Sequence, residues 1–242
     1  MNNKQLNDKL VLWIKDKVKT AGCKGVVLGM SGGIDSAVTA VLCQRAFPRS
    51  TLGINLPCYS NPKDQEHAGL VAEKFAIPYK VIVLDGIYDT FLKILPQEKA
   101  GVGLNRLAKS NLKARLRMAA FYYHANRLQR IVVGSGNRSE LAIGYFTKWG
   151  DGGVDIMPIG NLVKKQVVEL AQYLDIPREI IEKPPSAGLW QGQTDEGEMG
   201  LTYKQLDKYL TTGRADAKVK GKIETMMGSA QHKLNLPPVP DF

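Results

Sequence analysis

Residues 26–42 read VVLGMSGGIDSAVTAVL. An apolar run breaks at Gly29 and Met30 into Ser31-Gly32-Gly33, an acid follows at Asp35, and a second apolar run begins at Ser36. Glycines admit positive φ and let a ligand approach the backbone with no Cβ in the way. A strand feeding a helix through such a loop leaves amides at the positive end of the helix dipole. The stretch therefore predicts an anion site built for phosphate, with outward, unpaired amides and the hydroxyls of Ser31 and Ser36 as donors. Asp35 would repel a phosphate unless a magnesium ion bridged carboxylate and phosphate oxygens. The spacing is neither GxGxxG nor the Walker sequence, because no Gly-Lys-Ser/Thr follows.

Outward from this loop, four short apolar segments read as strands: 26–28, 52–56, 79–84 and 131–133. They are rich in Val and Ile and apolar on consecutive positions, which suits strands buried on both faces of a parallel sheet. Helical patterns lie between them at 36–47, 62–75, 104–128 and 164–174. Pro62, just after Ser60-Asn61, marks a helix start. Strand and helix in alternation predict an α/β fold, a doubly wound, Rossmann-like parallel sheet flanked by helices, with ligands at the carboxyl ends of its strands. The GSGN stretch at 134–137 falls there too. Two glycine-rich stretches, 96–103 and 188–200, read as mobile, the second kept solvated by Asp195, Glu196 and Glu198. No linker or repeat interrupts residues 1–242, which read as one domain.

Composition narrows the class. At 44% hydrophobic and 23% charged, the 242 residues suit an ordinary globular protein. No apolar run reaches the ~20 residues that span a bilayer, and residues 1–19 lack a signal peptide's uninterrupted core. Cys23, Cys43 and Cys58 form no CxxC pair, which points to reduced thiols in a cytoplasm rather than zinc or disulfides. The Asn137-Arg138-Ser139 sequon is then without meaning. A net charge of +10 favours anionic partners. With no RGG tract, RNP sequence or basic run of five, it does not choose nucleic acid over a small phosphorylated molecule.

SGGIDS after a strand resembles the loop of the ATP pyrophosphatases, which split ATP between its α and β phosphates. Within that group, GSGNRSE (134–140), GYFTKWGDGG (144–153), VDIMPIG (154–160), NLKARLRM (111–118), KPPSAGLWQGQTDE (183–196) and QHKLNLPPVPDF (231–242) resemble the NAD synthetases over almost the whole chain. The resemblance implies a homodimer that converts deamido-NAD, ATP and ammonia to NAD, AMP and pyrophosphate through an acyl adenylate, with magnesium as cofactor and ATP as co-substrate.

By the same resemblance, Ser31, Gly32, Gly33, Asp35 and Ser36 hold pyrophosphate, with Ser135, Lys164 and Ser186 near the phosphates. Asp35 and Glu140 are the metal ligands. Asn111 and Arg115 are four apart and share one helix face; the resemblance directs that face to the nicotinate. It also places Lys148, Asp155, His232 and Lys233 on deamido-NAD, across the dimer, and Asp151 at the ammonia pocket. His67 and His124 read as structural, and Phe121-Tyr122-Tyr123 as helix packing. Asn55 stands where bacterial relatives often carry arginine near the adenine, so no adenine contact is assigned. Only about 20 residues precede the synthetase region, with no glutaminase domain, which predicts use of free ammonia. The alternative, a tRNA-modifying enzyme on the same ATP loop, lacks its usual paired cysteines or RNA-binding appendage. No nucleic-acid or membrane partner is expected.

Overall fold

A computed structural model describes residues 1–96, 101–186, 188, 190 and 192–241. Residues 97–100 of the first glycine-rich stretch, and 189 and 191 of the second, lie outside the described residues. At the centre run β1 (Val26–Gly29), β2 (Thr51–Asn55), β3 (Tyr79–Val81) and β4 (Ile131–Val133), all parallel, in the order β3-β2-β1-β4. Successive strand side chains point to opposite faces. Val26, Leu28, Ile131 and Val133 enter one buried cluster, and Val27, Leu52, Ile54 and Val132 another.

Helices cover both faces. The first cluster packs on α1 (Asn3–Thr20), α2 (Ile34–Ala46), α3 (Pro62–Lys74) and α7 (Lys164–Tyr173). The second packs on α4 (Asp85–Ile94) and α5 (Val102–Leu128). α5 approaches so closely that a Cβ at Gly29 would lie 2.7 Å from the Phe121 ring, so packing alone demands glycine there. A third cluster joins α6 (Arg138–Ile143), α9 (Asp195–Met199), α10 (Tyr203–Thr212) and α11 (Ala217–Leu234); a short α8 (Arg178–Ile181) follows α7. Each fully buried aliphatic side chain contributes about 1.5–3 kcal/mol, so the sheet is a firm base for the loops at its carboxyl edge.

The α/β doubly wound expectation holds. Strand order reverses between β1 and β4, opening a crevice between their carboxyl ends, the usual ligand position of such sheets. Two local expectations change. β3 is shorter than 79–84, and as the sheet edge it is half-buried to exposed rather than enclosed. The chain still follows β2, with Ile82 N donating to Asn55 O at 3.0 Å and Leu84 N to Pro57 O at 2.8 Å, before Asp85 opens α4. Residues 195–199 form a helix, not a solvated turn, because Thr194 caps it and Met199 is buried.

Candidate active site

The loop between β1 and α2 closes on itself. Ser31 N donates to Ser36 Oγ at 3.2 Å, Gly33 N to Ser31 Oγ at 3.4 Å, and Ser36 Oγ to Gly33 O at 2.9 Å. Two amides expected to be unpaired are thus held by serine hydroxyls, at distances long enough for an anion to displace them. Gly33 is the N-cap of α2, and no side chain caps the helix. Gly32 has φ +77°, and a Cβ there would lie 2.1 Å from the Asp64 carbonyl oxygen, so the first turn of α3 presses on the loop.

Across the crevice, Asn137 is fully buried at the start of α6. Its Oδ1 accepts from Glu140 N at 3.0 Å, Glu140 Oε2 accepts from Asn137 N at 3.2 Å, and Asn137 Nδ2 donates to Asp35 Oδ1 at 2.9 Å. One capping box therefore aims Glu140 and grips Asp35. Lys164 Nζ donates to Asp35 and lies 3.6 Å from Glu140 Oε1. Burial, then the charge of Asp35, pushes the Glu140 carboxyl up to about 8. For Lys164, burial disfavours the ammonium, but Asp35 and Glu140 outweigh it and raise its pKa.

Lys164 is itself held from behind. Its backbone N donates to Ser139 Oγ at 3.1 Å, and Asp207 accepts from Ser139 Oγ and, at 2.8 Å, from Lys165 N. Tyr203 hydroxyl donates to Asp195 Oδ2 at 3.0 Å and sits 3.3 Å from Glu140 Oε1, its ring 4.9 Å from the Lys164 ammonium. Asp195, expected in solvent, is buried and also accepts from Tyr145 OH at 3.1 Å. Among the described residues no three His, Cys, Asp or Glu side chains converge as a metal set. Two carboxylates facing one cation nevertheless suit a hard divalent ion that completes its shell with phosphate oxygens.

Most of the remaining expected residues gather at the turn following α6. Asn111 Oδ1 accepts from Thr147 Oγ1 at 2.8 Å, and Arg115 Nη2 donates to Lys148 O at 3.3 Å, so both reach this turn from one face of α5. Lys148 Nζ donates to His232 O, and Lys233 Nζ to Gly144 O and Phe146 O at 2.7 and 2.9 Å. Asp151 Oδ1 accepts from Thr147 N at 2.9 Å. Asp151 is exposed as a residue, and desolvation of its carboxyl against this turn raises its pKa, against the pull of Thr147 N and Lys233. Asp155 stands apart. Both its oxygens are engaged within the fold, by Val132 N at 2.7 Å and Tyr122 OH at 2.9 Å, where a ligand contact was expected. Ser135 is half-buried just past β4, and Ser186 is exposed, its Oγ accepting from Gly188 N at 3.2 Å. His232 is exposed on the last turn of α11.

Several site residues were not singled out from sequence. Asn137 was set aside as an empty sequon, though Asn-x-x-Glu is a capping-box signal. Arg117 binds Leu56 O at 2.9 Å and Ser60 Oγ at 3.1 Å, securing the end of β2. Asn55 Nδ2 donates to Met30 O at 2.7 Å, so it joins strand ends rather than facing a ligand. Tyr203 and Asp207 are four apart on α10, and nothing local in the sequence marks them as site residues.

The profile of the family described as NAD synthase matches residues 6–237. An "NH(3)-dependent NAD(+) synthetase" of Carboxydothermus hydrogenoformans is 49% identical, covering 99% of this chain and 98% of its own. Among solved structures, an NMN synthetase from Francisella tularensis superposes with a TM-score of 0.93 at 39% identity, covering 100% of both chains. An NH3-dependent NAD synthetase from Campylobacter jejuni does so with a TM-score of 0.82 at 30% identity, again over 100% of both. Matched by the family profile over residues 6–237 and by a 49% identical relative over nearly its whole length, the chain belongs to the NAD synthase family.

Proposed function

We propose that the protein is an ammonia-dependent NAD synthetase, a ligase that amidates deamido-NAD to NAD at the expense of ATP, releasing AMP and pyrophosphate. The observation carrying this reading is the meeting of Asp35, Asn137, Glu140 and Lys164 above the uncapped start of α2. The alignment over 98% of a relative named for ammonia supports the ammonia-dependent form.

A carboxylate does not react with ammonia, because oxide would have to leave. A nicotinate carboxylate oxygen instead attacks the α-phosphorus of ATP, and the bond from that phosphorus to the α–β bridging oxygen breaks. Pyrophosphate leaves with the electron pair. Ammonia then attacks the acyl carbon of the adenylate, AMP leaves with the oxygen that joined them, and the nitrogen sheds a proton. No protein nucleophile is needed, so catalysis rests on positioning and charge neutralisation.

The loop amides and hydroxyls of Ser31, Gly32, Gly33 and Ser36 hold the departing pyrophosphate, with Ser135 and Ser186 alongside. Lys164 turns from Asp35 to a phosphate oxygen. Asp35 and Glu140 would hold magnesium, which supplies positive charge to phosphate oxygens when bound. Asn111, Arg115, Lys148, His232 and Lys233 bind deamido-NAD, and Asp155 does so on leaving its partners in the fold. Asp151, made a stronger base by its raised pKa, takes the proton from the nitrogen.

Deamido-NAD lies across a homodimer in this reading; the exposed Ile87, Phe91 and Ile94 of α4 and Leu104 and Leu107 of α5 are apolar side chains of the kind a partner subunit covers. Residues 1–242 act as one domain, in the cytoplasm, without nucleic-acid or membrane partners. The three cysteines are free.

Incubation with deamido-NAD, ATP, magnesium and ammonium tests the proposal. Equal amounts of NAD and AMP are expected, with no AMP when deamido-NAD is withheld; ADP as product would refute it. The likeness to an NMN synthetase favours a second reading, in which the acid acceptor is nicotinate mononucleotide. The ratio of kcat/KM for the two acids decides between them.

A further inference from the structure

Lys183 and Asp64 meet against the anion loop. Lys183 Nζ donates to Asp64 Oδ1 and lies 3.4 Å from the Gly32 carbonyl oxygen, with 27% of the lysine side chain and 16% of the aspartate side chain exposed. Asp64 belongs to the first turn of α3, the turn whose backbone presses on Gly32. It also faces the chain beyond Lys183, since a Cβ at Gly188 would lie 3.2 Å from Asp64 Oδ2. Lys183 is followed by Pro184 and Pro185, whose fixed φ stiffens the chain there, and then by Ser186. One carboxylate thus holds Lys183 and lies close beside Gly188, while its own backbone presses on the loop.

An ammonium within hydrogen-bonding reach of a phosphate loop is neutralised by a carboxylate as long as no anion is bound. We infer that Lys183 is a further phosphate-binding residue, and that Asp64 is the positioning residue that holds it at the loop until nucleotide arrives. The inference rests on the reading that Ser31–Ser36 binds the pyrophosphate end of ATP. On binding, the lysine turns from Asp64 to a phosphate oxygen and draws Ser186 in with it. When pyrophosphate departs, Asp64 takes the lysine back and so favours release.

The two partners then have opposite effects on anion affinity, which a merely structural ion pair would not show. Titration of the full chain with magnesium pyrophosphate and with ATP, alongside melting curves, reads this out. Lys183→Met should weaken both ligands about 10- to 100-fold through loss of a charge-assisted bond, and Lys183→Arg should restore most of it. Asp64→Asn frees the lysine and removes a repelling charge, so pyrophosphate should bind about 2- to 10-fold tighter. Lys183→Gln serves the same purpose as Lys183→Met should the latter melt too low. Lysine variants within twofold of the unaltered protein, or weakening of the same sign in Asp64→Asn, would overturn the inference while leaving the nucleotide site intact. Failure of the unaltered protein to bind either ligand would bring down the nucleotide reading and this inference together.

Discussion

The side-chain amide of Asn137 donates to Asp35 Oδ1 at 2.9 Å, joining the start of α6 to the start of α2 across the β1–β4 crevice. The same side chain caps α6 and thereby aims Glu140. Asn137→Ala removes a cap of about 1 kcal/mol and a buried hydrogen bond of about 1 kcal/mol. Melting should fall by about 4–8 °C for a chain of this size. The magnesium concentration giving half-maximal rate should also rise, because Asp35 and Glu140 lose their common brace. Unchanged magnesium dependence would separate the cap from the chemistry.

Lys164 neutralises two carboxylates in a nearly closed space. Lys164→Met leaves them facing each other without a cation, which should cost about 3–5 kcal/mol of stability. Turnover should fall about 10²- to 10³-fold with the loss of a donor to developing charge. Magnesium should then raise the melting temperature of this variant more than that of the unaltered protein, since the ion would replace the missing charge. An identical magnesium response in both would argue against Asp35 and Glu140 as its holders.

Asp151 trades stability for basicity. Its folded-state pKa is raised, so the folded form favours the protonated carboxyl. Stability from this group is fully present below the unfolded carboxylate pKa and is lost as pH rises through the raised folded value. Ionising this carboxyl therefore costs the fold stability, a cost that a neutral asparagine amide avoids while its oxygen still accepts from Thr147 N. Asp151→Asn should melt higher at pH 7, gain little at pH 4, and turn over more slowly at low ammonia. Full turnover at low ammonia would remove Asp151 from the reaction.

Tyr203 lets the third cluster sense the site, because its hydroxyl sits between Asp195 and Glu140. Burial is the chief cause that raises its pKa far above the phenol range, so it remains a donor at any working pH. Tyr203→Phe leaves Asp195 with Tyr145 alone among these two hydroxyls. A loss of about 1–3 kcal/mol is expected, read as a drop in melting temperature, with a smaller fall in turnover. No loss of stability would mean that the hydroxyl is dispensable to Asp195.

The sheet was legible because parallel strands buried on both faces leave consecutive apolar residues, and 131–133 appears as β4 with those limits. The loop was legible because serine, two glycines and an acid between a strand and a helix serve few other purposes. The burial of Asp195 was not legible, because an acid in a glycine-rich stretch has no periodicity to betray it, and one of its partners, Tyr145, lies 50 residues earlier. Lys183 and Asp64 are 119 residues apart, and neither carries a local pattern that names the other. Asp155, which the resemblance assigns to deamido-NAD, accepts from Val132 N and Tyr122 OH, partners too far along the chain for any local pattern to mark.

The central claim is that the acid acceptor is capped with adenylate while the loop at residues 31–36 retains pyrophosphate. Deamido-NAD labelled with ¹⁸O in its nicotinate carboxylate, turned over with ATP and ammonium, tests this directly by mass spectrometry of the products. One labelled oxygen per molecule of AMP and none in pyrophosphate is the expected result. Label in pyrophosphate or orthophosphate, or AMP free of label, would contradict it.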